Sequence, residues 1–360
     1  MISIETDFYS IKSDWERLYS PDTNTVFQSF SYNEAYWRHH VGVGELALIV
    51  YRDSGSKIKA ILPTYIRGKQ LRFINDGGTD FCDIIFDRDL SLFDVMEELV
   101  EFIGTMSNRV NIIALNNLRE SSPLLPYFKV LLQNSFIYSS NEYSFLQCNQ
   151  SEHPFDSIGD LPHNKRKKLI KILEKSSNYP FVIYNSRSNK DFPENELRYL
   201  VSYMVRKGWR DARKYNEVFW DYIRDIYDSG QIEVGVLFSP DNKPLSAGLV
   251  FSDERRTIRW IIFYTDKKYN LWNNVHYINS KAKSFSYENN FGRGGYDYKI
   301  VNFRPKLGIL YYLLVPLNQR GRIIAAYTIL RDFLKRSFRG SSIYRFVSHS
   351  KIRFRNSISR

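Results

Sequence analysis

A few residues in this sequence have types and spacings suited to chemistry on a small molecule. Lys299 closes the run FGRGGYDYK. A lysine at the end of a short strand can hydrogen-bond a developing oxyanion or bind a phosphate, and an exposed strand lysine is the plain alternative. Asp80 and Asp83 bracket Phe81 and Cys82. Either carboxylate can orient or deprotonate an amine, although turn aspartates are common beside glycines such as Gly77 and Gly78. Tyr264 and Tyr269 offer hydroxyl donors, with Tyr264 equally suited to a core. Trp209 and Arg210 follow Gly208 in a loop, where an aromatic beside a guanidinium suits sugar stacking or substrate recognition. The run Lys165, Arg166, Lys167, Lys168 can grip a diphosphate or simply solvate a helix face. His39 and His40 are adjacent, so on a helix they point about 100° apart and cannot share one site. His276 stands alone in a helical stretch.

The elements that must position these groups alternate between helix and strand. Asp14 can cap a helix over WERLYS that Pro21 stops, and FQSFSYNEAYWRHH continues as a second helix. ELALIVYRD and KIKAILPTYIRG form a hairpin around SGS. LRFINDGG and DFCDIIFD are strands, and SLFDVMEELVEFIGTM is an amphipathic helix capped by Ser91. VNIIALNNL, PLLPYFKVLLQNS and EYSFLQC read as strand, helix, strand. The second half opens with the basic helix LPHNKRKKLIKILEKSSN and the strand PFVIYNS. Two helices follow, each ending at a glycine fit for the position past the helix end. IEVGVLF and KPLSAGLVFSD pair around SPDNK, and TIRWIIFYTD is a further strand. WNNVHYINSKAKSFSYENN reads as a helix and YDYKIV as a strand, which puts Lys299 on a strand. Both halves thus run hairpin, strand, helix, strand. The expected division is a unit over 1–150, a second over 151–319 and a basic tail over 320–360.

The totals exclude several classes. The chain has 360 residues, long enough for two domains, with 43% hydrophobic and 16% aromatic residues. Disorder is excluded by that hydrophobic share. Cys82 and Cys148 are too few for a disulfide scaffold and favour a reducing compartment, so a cytoplasmic location is expected. The N-terminus has no apolar core of a signal peptide. The longest apolar run, Leu307 to Leu317, is about half of what a membrane span needs. From Arg320 onward eleven Lys and Arg stand against Asp332, so this tail holds +10 of the net charge of +12. Such a tail, with Phe333, Phe338, Tyr344, Phe346 and Phe354 interleaved, can meet anionic lipid or nucleic acid. No HExxH, CxxC, Walker loop or GxSxG occurs, so metal, P-loop and hydrolase-elbow chemistry find no support and no metal is expected.

Several stretches, taken in order, resemble the BioF2-like or CelD-like GNAT acyltransferases, relatives of the Fem-type peptidoglycan aminoacyltransferases. They are WERL from Trp15 to Leu18, TVFQS from Thr25 to Ser29, ILP from Ile61 to Pro63, and DFCD from Asp80 to Asp83. In the second half they are KRKKL from Lys165, PLSAGLVF from Pro244, FYTDKKY from Phe263 to Tyr269, and FGRGGYDYK from Phe291. The resemblance spans about Trp15 to Val315. It implies an α/β protein of two tandem GNAT-like units with mixed sheets, the donor-binding and catalytic work lying in the second. It implies acyl transfer from acyl-CoA (acetyl-CoA) to an amine, with an amino sugar or sugar nucleotide of bacterial surface polysaccharide as acceptor. Aminoacyl transfer from charged tRNA is the Fem-like alternative, and a non-enzymatic membrane or nucleic-acid binder is the alternative of another class. On this reading Lys299, Asp83 and Tyr264 are catalytic, and Ile262, Phe263 and Tyr264 line the acyl arm. Asp80, Lys165, Arg166, Trp209, Arg210 and Tyr298 hold the acceptor. Where the family has Ser-Pro-Gly at a helix start facing the donor pyrophosphate, this chain has NLWNNV, so Asn270, Asn273 and Asn274 stand at that turn. An acyl carrier protein or tRNA donor therefore remains open beside acyl-CoA. A contact of residues 320–360 with the inner membrane face is the expected partner interaction.

Overall fold

The computed structural model describes residues 1–338 except 41, 133, 153, 154, 157, 159, 160, 189, 254, 283–286, 295 and 296. The tail past 338 and the Tyr298 side chain lie outside the described residues. In chain order the first half holds β1 (Ile2–Glu5), α1 (Lys12–Leu18), α2 (Phe30–His39), β2 (Glu45–Leu46), β3 (Leu48–Arg52), β4 (Ile58–Leu62), β5 (Thr64–Arg67), β6 (Gln70–Phe73) and β7 (Ile85–Phe86). Then come α3 (Leu92–Thr105), β8 (Ile112–Arg119), α4 (Leu124–Leu131) and β9 (Phe136–Cys148). The second half holds α5 (His163–Lys175), β10 (Phe181–Tyr184), α6 (Glu194–Arg206), α7 (Glu217–Asp228), β11 (Ile232–Phe238), β12 (Pro244–Ser252), β13 (Arg256–Tyr264) and α8 (Lys267–Ala282). It ends in β14 (Tyr287–Arg293), α9 (Asp297–Phe303), β15 (Lys306–Pro316) and α10 (Gln319–Phe338).

The chain forms two compact units. Unit 1 takes Met1–Glu142 and the segment from Gly308 through α10, and unit 2 takes Tyr143–Leu307. The chain leaves unit 1 inside β9 and returns inside β15. In unit 1, β1, β3, β4 and β7 form an antiparallel sheet. Its second sheet sets β6 parallel to β8, with β15 antiparallel to β8 on the other side. In unit 2, β10, β11, β12 and β13 pair antiparallel, β13 runs parallel to β14, and the end of β9 lies antiparallel to β14. Each unit therefore contains a strand, a helix and a parallel strand: β6–α3–β8 in one and β13–α8–β14 in the other. A parallel pair needs such a crossover, because no tight turn can return the chain to the same end.

Several expected elements are corrected. Asp14 sits in the first turn of α1 and does not cap it, since the helix already starts at Lys12. Ser91 holds the cap position of α3 without a side-chain bond. DFCDIIFD supplies only the two-residue strand β7, and residues 80–84 before it are buried irregular chain. The predicted helix from Trp272 begins at Lys267, and its expected tail YENN is strand β14. The predicted strand YDYKIV is helix α9, so Lys299 lies on a helix. Gly292 and Gly294 take positive φ of 70° and 92°, turning the chain out of β14. Gly208 and Gly230 do end α6 and α7 at positive φ, as their placement predicts.

Candidate active site

Five of the expected residues, Ile262, Phe263, Tyr264, Trp209 and Arg210, converge in unit 2 at the end of β13. Strands β13 and β14 are paired only at Arg256–Ile258 with Glu288–Asn290. Among the described residues no ladder pair joins them beyond Ile258. On the other side of β13 the register with β12 slips. Leu249 stands opposite Ile261 but Val250 opposite Arg259, which leaves Trp260 as the extra residue of a bulge. A bulge bends its strand and re-aims the residues beyond it.

The free edge can be read from the ladder. The Thr265 N–H donates to the Leu245 carbonyl at 2.9 Å, so Thr265 and Phe263 turn their main-chain groups toward β12. Alternation then turns those of Ile262 and Tyr264 away from it. The structure places side chains of the α6–α7 region on these two groups. Arg210 Nη2 donates to the Ile262 carbonyl at 3.0 Å, and the Tyr264 N–H lies 3.4 Å from Met204 Sδ. The Trp209 ring lies 5.7 Å from that of Tyr264, and the Arg210 guanidinium stands 5.9 Å from the Phe263 ring centre. Thus Ile262, Phe263, Tyr264, Trp209 and Arg210 form one cluster, in which Arg210 touches the strand expected to carry the donor.

The asparagines of α8 do different work. Because the helix begins at Lys267, Asn270, Asn273 and Asn274 lie inside it and are buried, and none caps it. Asn273 donates to the Gly235 carbonyl at 2.8 Å and accepts from Arg259 Nη1 at 2.9 Å. Asn274 Nδ2 donates to the Asn270 carbonyl at 2.9 Å. The first turn of α8 is served instead by Asp266, whose carboxylate accepts from the Lys268 N–H at 2.8 Å. That carboxylate occupies the helix end where free N–H groups favour an anion, while exposed Lys267 and Lys268 flank it.

Lys299 is tied within the chain. It is 2% exposed, and its ammonium donates to the carbonyls of Phe291, Gly292, Arg293 and Gly294 at 2.7, 3.3, 3.3 and 3.0 Å. It holds the turn that ends β14. On α5, Arg166 pairs with Asp156 at 2.7 Å. Lys165 is half-buried, and Lys168 donates to Asn302 Oδ1 at 2.8 Å, joining α5 to α9. His276 on α8 is half-buried and shares a 2.8 Å hydrogen bond with Ser176 Oγ, and burial lowers its pKa.

Asp80 and Asp83 belong to unit 1, where both are buried. Asp83 accepts from Ser122 Oγ at 2.7 Å and from the Ile84 N–H at 2.9 Å. Burial pushes its carboxyl up to about 6, with Arg119, Ser122 and the Ile84 N–H pulling the other way. The motif TVFQS explains itself nearby. Gln28 accepts from the Thr25 N–H and donates to the Phe81 carbonyl at 2.8 Å, and Trp15 Nε1 donates to the Gln28 carbonyl at 2.8 Å. These bonds hold the DFCD segment in place.

A charged network in unit 2 was not anticipated from the sequence. Glu233 on β11 accepts from Tyr277 OH at 2.9 Å, Asn185 Nδ2 at 2.9 Å and Lys281 Nζ at 2.7 Å. Arg259 stands 5.1 Å from the Tyr277 ring centre. Burial, then Glu233, holds the Tyr277 pKa well above its ordinary value. The available signal was a charged residue inside each of two apolar strands, IEVGVLF and TIRWIIFY. A cavity of about 330 Å³ walled by Asn185, Arg187, Glu233, Ser252, Asp253 and Lys281 opens beside this network. It adjoins the start of β11 and the end of β12, the end of the sheet away from Tyr264. Among the described residues no group of His, Cys, Asp and Glu could hold a metal ion.

No protein-family model and no curated protein matches the chain. Solved structures do. The C-terminal domain of a protein described as a lysylphosphatidylglycerol synthetase from Agrobacterium fabrum is similar at a TM-score of 0.59 and 13% identity, over 91% of this chain and 97% of that one. A tandem GNAT protein from the clavulanic acid biosynthesis pathway is similar at 0.53 and 10% identity, over 88% and 98%. FemX is similar at 0.57 and 9% identity, over 87% and 96%. The fold is that of the GNAT-like acyltransferases, in tandem units, an α/β class with mixed sheets.

Proposed function

We propose that this protein is an N-acyltransferase, that the donor thioester lies in unit 2 along the edge of β13 that turns away from β12, at Ile262 and Tyr264, and that an amino sugar or sugar nucleotide is the acceptor. The end of the β13–β14 ladder at Ile258 carries this reading. Where a ladder stops, main-chain donors and acceptors are left to other partners, and an extended amide-bearing arm can pair with them as a further strand would. In the reaction the acceptor amine attacks the thioester carbonyl carbon, the C–S bond breaks, the amide forms, and the amine proton ends on the departing thiolate. Holding the two partners in line supplies much of the acceleration. The Tyr264 main-chain N–H, which meets only a weak acceptor in Met204 Sδ at 3.4 Å, suits the developing oxyanion. Trp209 beside Tyr264 suits the face of a sugar. The resemblance to the BioF2-like or CelD-like acyltransferases supports the acceptor class, and the two free cysteines, Cys82 and Cys148, support a cytoplasmic site of action.

Thiol release from acetyl-CoA, with amino sugars and their nucleotides as acceptors, tests the proposal. Turnover by acyl-CoA and amine alone is the expected result. Turnover only with charged tRNA would replace it with aminoacyl transfer, the second reaction class, which the likeness to FemX supports.

A further inference from the structure

Helix α10 carries two apolar faces, and only one of them is used within unit 1. Ile324, Ala325 and Ile329 pack with Ile112, Tyr312 and Leu314. Asp332 on this inward side accepts from Tyr138 OH at 3.0 Å. On the opposite side Ile323, Tyr327, Leu330 and Leu334 follow at spacings of four, three and four, which puts them in one stripe of a helix. They are exposed by 71%, 65%, 56% and 44%, and Phe333 at the margin by 64%. Large apolar residues in such a row are not the scattered exposure normal for a surface.

The stripe's flanks select its occupant. Arg320, Arg322 and Lys335 are exposed around it, and the one acid of the helix, Asp332, accepts from Tyr138 OH and pairs with Arg331 at 2.9 Å. The sequence after α10 adds Arg339, Arg345, Lys351, Arg353, Arg355 and Arg360 without an acid. A second copy of this helix would bring like charges together. An anionic bilayer surface satisfies both features, since its phosphates take the bases and its acyl boundary takes the stripe. Among the described residues no helix is long and apolar enough to cross a membrane, so α10 would lie in the surface plane. We infer that the outer face of α10 docks the protein on an anionic lipid bilayer. This inference stands independently of the acyl-transfer proposal.

Co-sedimentation of the full chain with vesicles tests it. The vesicles are phosphatidylcholine alone, or phosphatidylcholine with about 30 mol% phosphatidylglycerol. The wild type is expected to bind the anionic vesicles at least about tenfold more tightly, and to lose that preference in high salt. The triple variant Ile323→Asn, Leu330→Asn, Leu334→Asn is expected to bind about tenfold more weakly or worse. Its melting temperature should not change, because these side chains are exposed. The pair Arg320→Glu, Lys335→Glu, which leaves the stripe intact, should lose the preference for anionic over neutral vesicles. Wild-type protein left in the supernatant with anionic vesicles would overturn the inference. So would a triple variant that binds as tightly as wild type, or a wild-type dimer that the triple variant splits without either form binding lipid.

Discussion

Lys299 lies beneath the carbonyls of the turn that ends β14, and four of them share its ammonium. Replacing it with methionine leaves those carbonyls facing a thioether, at a cost of about 2–4 kcal/mol. A melt should show Lys299→Met lowered by several degrees. A variant that keeps the wild-type melting temperature but loses turnover would mark the lysine as catalytic instead. For Asp83 the sign comes from its raised pKa. The folded state keeps a proton that the unfolded state loses above its ordinary value of 3.8, so this contribution to stability is full below 3.8 and lost as pH rises through about 6. Asp83→Asn should therefore stabilise unit 1 at pH 8, by up to about 3 kcal/mol, and leave stability nearly unchanged at pH 4. Denaturant titrations at the two pH values measure the difference. Both residues were legible as polar groups, and in the structure both are buried and held by hydrogen bonds of the fold. The run GRGGYDYKIV alternates like a strand, but Gly292 and Gly294 at positive φ end the strand and the next turn is helical. Residue type alone does not reveal such surroundings.

At the scale of elements, the strands were the most readable, because β11, β12 and β13 are apolar runs bounded by turn residues. The start of α8 was missed by several residues. Its signal was Asp266, whose side chain bonds the Lys268 N–H, rather than an apolar period. The bulge at Trp260 left no mark in the sequence, because a bulge depends on the partner strand's register. Small residues in the middle of PLSAGLVF were legible as a motif, and the structure gives their reason. A Cβ on Gly248 would lie 2.7 Å from Arg259 Nη1 and 3.1 Å from Asn273 Oδ1. Gly248→Ala should thus displace the Arg259–Asn273 pair and cost about 1–3 kcal/mol, measurable by denaturant unfolding. The free edge of β13 can be tested by removing one main-chain donor. Ile262 turns its N–H away from β12, so Ile262→Pro spares the ladder while blocking the edge. Donor affinity should fall about tenfold or more in a protein that keeps its far-ultraviolet circular dichroism. Unchanged donor affinity would place the donor elsewhere.

At the scale of the whole molecule, the order of elements in the two halves predicted two related units, and each unit has a parallel pair joined through a helix. The sequence could not reveal that β9 and β15 each pass from one unit into the other, since that arises from long-range pairing and not from local pattern. The units also differ in a way that bears on function. In unit 1 the DFCD segment, Asn75, Thr79 and Asn117 are tied into buried hydrogen bonds. In unit 2 the edge of β13 that turns away from β12 meets the side chains of Arg210 and Met204.

Hydrogen exchange of the full protein with and without acetyl-CoA tests the central claim most directly, since it reads the main-chain groups on which the claim rests. The account predicts that acetyl-CoA slows exchange in peptides covering residues 258–265, with the Tyr264 amide among the protected positions, while peptides from β3 and β4 of unit 1 are unaffected. Saturating acetyl-CoA that binds the folded protein yet leaves residues 258–265 exchanging at their free rate would contradict it.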